Sequence, residues 1–386
     1  MKMFIPQNEE VVHIPSIYLD NAATTPLPNS VKGYIISLLD NFYNPSSLYQ
    51  SGQGIKQIIS NARQTVAKFI NASHKDIYFT PSGSASNTLA IKGYYEQHNC
   101  TVLYSPIAHK SILKCVEDYK NSYPLNVDQN GFINYDDLKE WLDTRNINPF
   151  IIIDYANSEI GTVQDVRKIV ELVHFYNGIV YLDCTGSISQ IPIDVKSLDV
   201  DMIGFSAHKL GGLKGCGVLY KKKKIEISPL VYGSQEAGLI GGTENVLGIA
   251  SLGKAVEDHE YSSITSDSRD HVYNYIIKNI PDCYLVGAPI ESGNRLPHNL
   301  YVCFKGIEGE SLMILLDMNG IEVSTGSACN SGSLSASPTL TAIGIDKKDI
   351  NSCIRISFSG HEPREDIDSV CQKIKKCVES LRSMNN

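Results

Sequence analysis

The stretch DMIGFSAHKLGGLKGCGVLY, Asp201 to Tyr220, contains two apolar runs on either side of a turn of glycines, a histidine and a lysine. Each run is short and continuously apolar, which is typical of a strand that is covered on both faces of a sheet. The turn between them carries Lys209, whose charge is costly to remove from water. A lysine at such a turn either extends into solvent or serves as a reactive amine.

Similar apolar runs alternate with helical patterns along the first two-thirds of the chain, as in DIYFT, TVLYSP, PFIIIDYAN and IVYLD. Parallel strands joined by right-handed helical crossovers produce this alternation. We therefore predict an α/β fold with a mostly parallel, doubly wound sheet in a large domain, residues 17–258. Strands and helices with fewer buried runs follow, and they predict a smaller α+β domain formed by residues 1–16 and 259–386.

The composition excludes several classes of function. The 386 residues carry a formal net charge of −8 and no long basic run, so we expect no binding to nucleic acid or to an anionic membrane surface. No apolar segment has the length of a membrane span, and the N-terminus is acidic, so we expect a cytoplasmic protein. The 10 cysteines form no C-x-x-C pair, which argues against a zinc site or a disulfide framework, and we expect no bound metal.

Ligands of doubly wound sheets bind beyond the carboxyl ends of the strands, so the polar residues that follow the apolar runs are the candidates for chemistry. These candidates are Ser82, Gly83, Ser84, His109, Asn157, Asp183, Ser206, His208 and Lys209.

Three features among these candidates together suit the binding of pyridoxal 5′-phosphate (PLP). A desolvated amine at Lys209 can condense with an aldehyde, and Asp183 can pair with a pyridinium nitrogen. The turn Ser82–Ser84 opens a helix and can seat a phosphate. Taken singly, each has an ordinary alternative: a lysine that reaches solvent, a helix N-cap and a capped turn. The combination favours the cofactor.

Several motifs occur in order from about Ile17 to Leu381: YLDNAATTP, NPSS, IAHKSIL, ANSEIGTVQDV, YLDCTGSISQIPIDV, SAHK and TGSACNSGS. In this order they resemble the fold-type I, class V PLP enzymes, and more closely the NifS/IscS group of cysteine desulfurases. The resemblance implies a PLP-dependent sulfurtransferase that converts L-cysteine to L-alanine. It also implies a homodimer, and an acceptor protein for the sulfur, such as an iron–sulfur scaffold or a thiolation enzyme.

The resemblance assigns roles to individual residues. Lys209 would hold PLP and move protons at the substrate, Asp183 would pair with the ring nitrogen, His109 would stack on the ring as part of the catalytic set, and Asn157 would bond near the ring oxygen. The phosphate contacts that it implies are Gly83, Ser84, Ser206, His208 and, from the neighbouring subunit, Thr243.

The resemblance also provides a second chemical centre at Cys329, in the glycine- and serine-rich stretch STGSACNSGS. Cys329 would be the nucleophile that takes the substrate sulfur as a persulfide, and such a composition favours a mobile loop. Arg355 and Asn44 match positions that bind the substrate carboxylate.

Six positions differ from the family pattern: Gly186, Ala108, Tyr49, Ala237, Ile240 and Gly360. They leave two alternatives open. One is a related PLP lyase or aminotransferase, for example one that acts on selenocysteine, and the other is a degenerate scaffold for sulfur transfer without turnover.

Overall fold

The computed structural model describes residues 16–145, 147–261, 264–325 and 337–384. Its strands are β1 (Ile17–Tyr18), β2 (Ile77–Thr80), β3 (Thr101–Tyr104), β4 (Ser122–Pro124), β5 (Pro149–Asp154), β6 (Ile179–Asp183), β7 (Met202–Ser206), β8 (Gly217–Lys221), β9 (Cys283–Leu285), β10 (Asn299–Phe304), β11 (Ile321–Glu322), β12 (Ser324–Thr325) and β13 (Cys353–Ser357). Its helices are α1 (Asn29–Leu38), α2 (Gln50–Phe69), α3 (Gly83–Gln97), α4 (Lys110–Val116), α5 (Tyr135–Asp143), α6 (Val166–Phe175), α7 (Val246–Glu257), α8 (Ile264–Asn279), α9 (Gly309–Met318), α10 (Pro338–Ala342) and α11 (Arg364–Met384).

The large sheet has seven strands in the order β2-β8-β7-β6-β5-β3-β4. Strand β8 runs antiparallel to both of its neighbours, and the other paired strands are parallel. The predicted α/β class with a mostly parallel sheet is confirmed. The run GVLY forms part of β8, a strand as predicted. A short turn connects β7 to β8, and β8 therefore runs antiparallel to β7, because a parallel pair would need a helical crossover.

Helices cover both faces of this sheet, which explains why its strands read as continuous apolar runs. Along β5 the side chains alternate: Phe150 and Ile152 pack on the side of α3 and α4, and Ile151 and Ile153 pack on the side of α2, α6 and α7. The same alternation along β6 directs Tyr181 towards α3. Asp154 and Asp183 are the last residues of β5 and β6. They therefore lie on the same face of the sheet as Phe150 and Tyr181.

The C-terminal part contains an antiparallel sheet in the order β12-β13-β10-β9, packed against α8, α9 and α11. This α+β arrangement agrees with the predicted smaller domain. Strand β1 pairs with β11 of this part, although the predicted division assigns residues from 17 onwards to the large domain. The boundaries at residues 17 and 259 stay predictions. None of the helices in the described ranges is both long and apolar enough to cross a bilayer.

Candidate active site

A cleft of about 830 Å³ opens at the carboxyl edge of the large sheet, where the sequence places most of the candidate residues. Its walls come from the segments that follow β2, β3, β5, β6 and β7, and from β13 of the smaller sheet. Nine predicted site residues line this one cleft: Gly83, Ser84, His109, Asn157, Asp183, Ser206, His208, Lys209 and Arg355.

Two other predicted site residues, Asn44 and Thr243, are not on these walls, and a third lies in a part of the chain that the structure does not describe. Asn44 is exposed, and its side chain accepts a hydrogen bond from the backbone of Ser46 at 2.8 Å. Thr243 is also exposed and does not line the cleft. Cys329 lies outside the described residues. Their roles stay predictions.

Lys209 ends a short 3₁₀ turn, Ala207–Lys209, that follows β7 directly. Its Nζ donates hydrogen bonds to the backbone carbonyls of Ala22 and Ala23, the latter at 2.8 Å. The N-terminal loop thus holds the amine at the cleft wall rather than releasing it into bulk water. This half-buried placement suits a lysine that must react.

His208, the neighbour of Lys209, is held by the same N-terminal loop. Its Nδ1 lies 3.1 Å from Thr24 Oγ1, and its carbonyl oxygen accepts a hydrogen bond from the amide of Thr25 at 3.1 Å. Burial and, to a smaller extent, the positive charges of Lys209 and Lys214 lower the pKa of His208 to about 4. His208 is therefore neutral at physiological pH and can still donate one hydrogen bond.

One end of the cleft lies at the start of α3, a 15-residue helix that Ser82 caps by accepting from the amide of Ala85 at 3.1 Å. Ser206 Oγ and Thr185 Oγ1 are buried here without a hydrogen-bond partner among the described residues. A Cβ at Gly83 would come within 3.0 Å of Thr185 Oγ1, so only a glycine leaves this space open. Amides and hydroxyls at the positive end of a helix form a seat for an anion.

The buried carboxylate of Asp183 forms another part of the cleft wall. One oxygen accepts from Asn87 Nδ2 at 2.7 Å, and the other accepts from the amide of Thr185 at 2.8 Å. Asn87 also donates to Ser111 Oγ at 2.9 Å and accepts from the hydroxyl of Tyr181. This network fixes an acidic group at the cleft wall, in a position to pair with a cation.

His109 is the N-cap of α4, and its Nδ1 accepts a hydrogen bond from the amide of Ser111 at 3.2 Å. This cap fixes the orientation of an exposed ring that borders the cleft. The side chain of Asn157 joins the segments that follow β3 and β5. Its Nδ2 donates to the carbonyl of Ile107 at 2.7 Å, and its Oδ1 accepts from the amide of Ile160 at 2.9 Å.

Arg355 projects from β13 and is almost fully buried. One guanidinium nitrogen is 2.8 Å from Asp20 Oδ1, another donates to the carbonyl of Ser158 at 3.2 Å, and Nε has no partner among the described residues. Asp20 and Ser158 thus orient a cationic fork at the cleft wall, a geometry that suits a carboxylate ligand.

Glu159 links the cleft to the residue that follows the undescribed segment 326–336. Its buried carboxyl group accepts from Ser337 Oγ at 2.7 Å and from Tyr301 Oη at 3.0 Å. Burial raises the pKa of Glu159, against the lowering effect of these hydrogen bonds and of Arg355. Pro338 and Thr339, the two residues after Ser337, line the cleft. Thr325, the last described residue before the segment, also lines it.

His298 makes the stability of the folded chain depend on pH. It is 3% exposed, and burial, with a smaller effect of Arg355 and Lys209, lowers its pKa to about 3. The unfolded chain takes up this proton below about pH 6.5 while the folded chain does not, so stability falls as the pH falls. At about pH 5 we expect this group to reduce the free energy of unfolding by about 2 kcal/mol relative to neutral pH.

Urea unfolding of the wild type and of His298→Phe, at neutral pH and at about pH 5, measures this effect. Phenylalanine fills a similar volume and cannot bind a proton, so the variant should lose about 2 kcal/mol less than the wild type on acidification. An equal loss in both proteins would show that His298 is not the group that titrates.

Residues 17–370 match the family model described as aminotransferase class V. The chain belongs to the class V aminotransferase family. It is 38% identical to "Cysteine desulfurase IscS" of Methanosarcina thermophila over 96% of this chain and 94% of that one. Among solved structures it is similar to a NifS-like protein of Rickettsia africae, with a TM-score of 0.86 and 29% identity over 94% of this chain and 99% of that one. It is also similar to "SspA in complex with cysteine", with a TM-score of 0.78 and 28% identity over 90% and 99%.

Class V aminotransferases depend on PLP, and the cleft fits this cofactor. The buried hydroxyls of Thr185 and Ser206, which have no hydrogen-bond partner in the described part of the chain, and the open space at Gly83 suit the phosphate. The buried carboxylate of Asp183 suits the pyridine nitrogen, and the amine of Lys209 lines the same cleft. The family match and the similar solved structures confirm the class V fold predicted from the motifs.

Two departures from the family pattern have a steric reason. A Cβ at Gly186 would lie 2.9 Å from the carbonyl oxygen of Ala156, so any larger residue there would collide with this loop. Gly360 has φ +84°, and a Cβ there would lie 2.4 Å from Thr265 Oγ1. Glycine is therefore required at both positions by the local backbone of this class V chain.

Sequence reasoning missed several residues of the class V site, among them Asn87, Asp20 and Thr185. Asn87 lies in the second turn of α3, where only the three-dimensional contact with Asp183 reveals its role. Asp20 stands within the quoted motif YLDNAATTP, so its sequence position was a usable signal, but its partner Arg355 is 335 residues away.

Proposed function

We propose that the protein is a PLP-dependent cysteine desulfurase that converts L-cysteine to L-alanine and keeps the sulfur on Cys329 as a persulfide. The observation that carries the proposal is a single cleft that combines the amine of Lys209, the buried carboxylate of Asp183, an anion seat at Gly83 and the guanidinium of Arg355. The relatives named cysteine desulfurase, and the similar structure solved with cysteine, support the same reaction.

Residues that line the cleft would hold the cofactor. Gly83, Ser84, Ser206 and His208 would hold the phosphate, and Asp183 would bond to the protonated ring nitrogen. His109 would cover the ring face, and Asn157 would donate to the ring oxygen. Bound in this way, PLP supplies an electron sink for the electrons released when the Cα–H bond of the substrate breaks.

Lys209 has two tasks in this scheme. It would tether the cofactor, and its free Nζ would remove the proton from the substrate Cα. The carbonyls of Ala22 and Ala23 that bind Nζ keep the amine at the wall of the cleft. The same group then returns a proton to the carbon skeleton that leaves as alanine.

Arg355 would bind the carboxylate of cysteine through a two-pronged contact. Its guanidinium is already oriented by Asp20 and Ser158, so little side-chain freedom is lost on binding. Asn44 is predicted to help bind the same carboxylate of the substrate. It does not line the cleft of this chain, and its contact with the substrate is part of the proposal.

Cys329 would perform the sulfur transfer. Its thiolate attacks the substrate Sγ, an S–S bond forms, and the electrons of the broken Cβ–S bond stay with the carbon fragment, which takes up protons and leaves as alanine. Thr325 lines the cleft four residues before Cys329, and four residues span at most about 14 Å. Burial and the charge of Asp183 raise the pKa of Cys184, the thiol next to that carboxylate, so Cys184 is a poor alternative nucleophile.

The purified protein, PLP, L-cysteine and a thiol reductant suffice to test this function. We expect alanine and sulfide in equal amounts, because the reductant releases each persulfide sulfur as sulfide. Alanine without sulfide, or neither product, would contradict the proposal.

We further propose a homodimer in which Thr243 completes the phosphate site of the partner. Thr243 is exposed, and so are the apolar side chains of Ile36, Leu39, Phe42 and Leu48 in and after α1, which a second copy can cover. Light scattering should give a particle of twice the mass of one chain, and a monomer would contradict this assembly.

The proposal also includes an acceptor protein for the sulfur, such as an iron–sulfur scaffold or a thiolation enzyme. It further includes a cytoplasmic location. Both follow from the sequence predictions.

A further inference from the structure

The carboxyl group of Asp154 has no task in the scheme above, although it lies inside the cleft. Asp154 ends β5 and is the register partner of Asp183, which ends β6. Both residues line the cleft, and both are buried, with 8% of Asp154 and 4% of Asp183 exposed. Two acidic side chains thus share the face of the sheet that carries Tyr181.

The two carboxyl groups differ in their hydrogen bonds. Both oxygens of Asp183 have donors, Asn87 Nδ2 at 2.7 Å and the amide of Thr185 at 2.8 Å. Asp154 has only a long contact of 3.5 Å from the amide of His109 to Oδ1, and Oδ2 is buried without a partner among the described residues. A buried carboxyl oxygen without a donor disfavours the charged form and leaves an O–H free to serve a ligand.

The surroundings of Asp154 keep its proton in place. Burial raises the pKa of Asp154 well above its usual value, and the negative charge of Asp183 raises it further, against the weak hydrogen bond from His109. The titratable groups around Asp154 are Asp183 and Tyr181 on the same face of the sheet, Cys184 on the opposite face, His109 at α4, and Lys209, which lines the same cleft. Its ionisation is therefore displaced towards alkaline pH.

We propose that Asp154 is a positioning residue that sets the negative charge facing the cofactor ring: its neutral form leaves Asp183 as the single charge, and its ionised form adds a second. This inference rests on the proposed function, because the ring belongs to PLP. The charge acts through space on the nitrogen that joins Lys209 to the cofactor. A second negative charge nearby favours the protonated, positively charged form of that nitrogen.

The absorption spectrum of the bound cofactor reports this protonation directly, without turnover. We expect the wild type and Asp154→Asn to have the same spectrum at the acidic end of the titration, where Asp154 carries its proton in the wild type. On raising the pH, the midpoint of the spectral transition should be about one pH unit lower in Asp154→Asn, because asparagine never adds the second charge. Asparagine has nearly the same shape, so the variant should fold and bind PLP.

Asp201→Asn is the matched control. Asp201 is also buried, but it precedes β7 at the opposite edge of the sheet, where it binds His174 Nε2 at 2.8 Å and Lys222 at 3.2 Å. Its loss should lower thermal stability and leave the spectral midpoint at the wild-type pH. Equal midpoints in the wild type and Asp154→Asn, or an equal shift in Asp201→Asn, would overturn the role of Asp154. A wild-type protein that binds no PLP would instead overturn the proposed function, and the role of Asp154 with it.

Discussion

Replacing Cys329 with serine will reduce sulfide release from L-cysteine by about 10⁴-fold or more. A serine hydroxyl cannot attack the substrate sulfur and hold it as a persulfide, so the cycle stops before the Cβ–S bond breaks. The spectrum of bound PLP should remain that of the wild type, because Lys209 and Asp183 are unchanged. Initial rates of sulfide and alanine formation in the presence of reductant measure the effect.

Cys115→Ser is the control for the loss of a thiol. Cys115 is half-buried on α4, bonds to Tyr119 and does not line the cleft, so this variant should keep the wild-type rate. A Cys329→Ser protein that still consumed substrate at full rate would support the alternative of a lyase without a cysteine nucleophile.

Replacing Lys209 with alanine will lower alanine formation by about 10³-fold or more, because both the tether and the base at the substrate Cα are lost. PLP should still bind without a covalent bond, through the phosphate seat at Gly83 and the carboxylate of Asp183. A small primary amine added to the buffer should restore part of the rate, since it can replace the missing base. Single-turnover assays with and without this amine separate the loss of chemistry from the loss of binding.

Lys214→Ala is the matched control, because Lys214 is exposed, lies five residues further along the same turn and does not line the cleft. It should leave the rate unchanged. A Lys209→Ala variant with nearly wild-type activity, or one that added amine does not improve, would argue that another group removes the proton.

The sequence predicts the sheet and its functional edge because burial on both faces leaves continuous apolar runs, and polar residues stand out where those runs end. Asp183, Ser206 and Lys209 are found in this way, and the cleft confirms that they come together. The pairing of β1 with β11 is not predictable from periodicity, because strands of two residues are too short to show any.

Asp154 shows why the rest of the site needs coordinates. In the run PFIIIDYAN it marks the end of a strand, where an acidic residue commonly caps the next element. Its importance comes from the register that pairs it with Asp183 and from an oxygen without a donor among the described residues. Neither a strand register nor an unpaired oxygen can be derived from one sequence.

The central claim is that the turn after β7 carries Lys209 because an aldehyde cofactor is attached there. Borohydride reduction of the protein with bound PLP, followed by peptide mass spectrometry, tests this claim most directly. We predict a single pyridoxyl-phosphate adduct, on Lys209. An adduct on another lysine, or no adduct in a protein that has bound PLP, would contradict it.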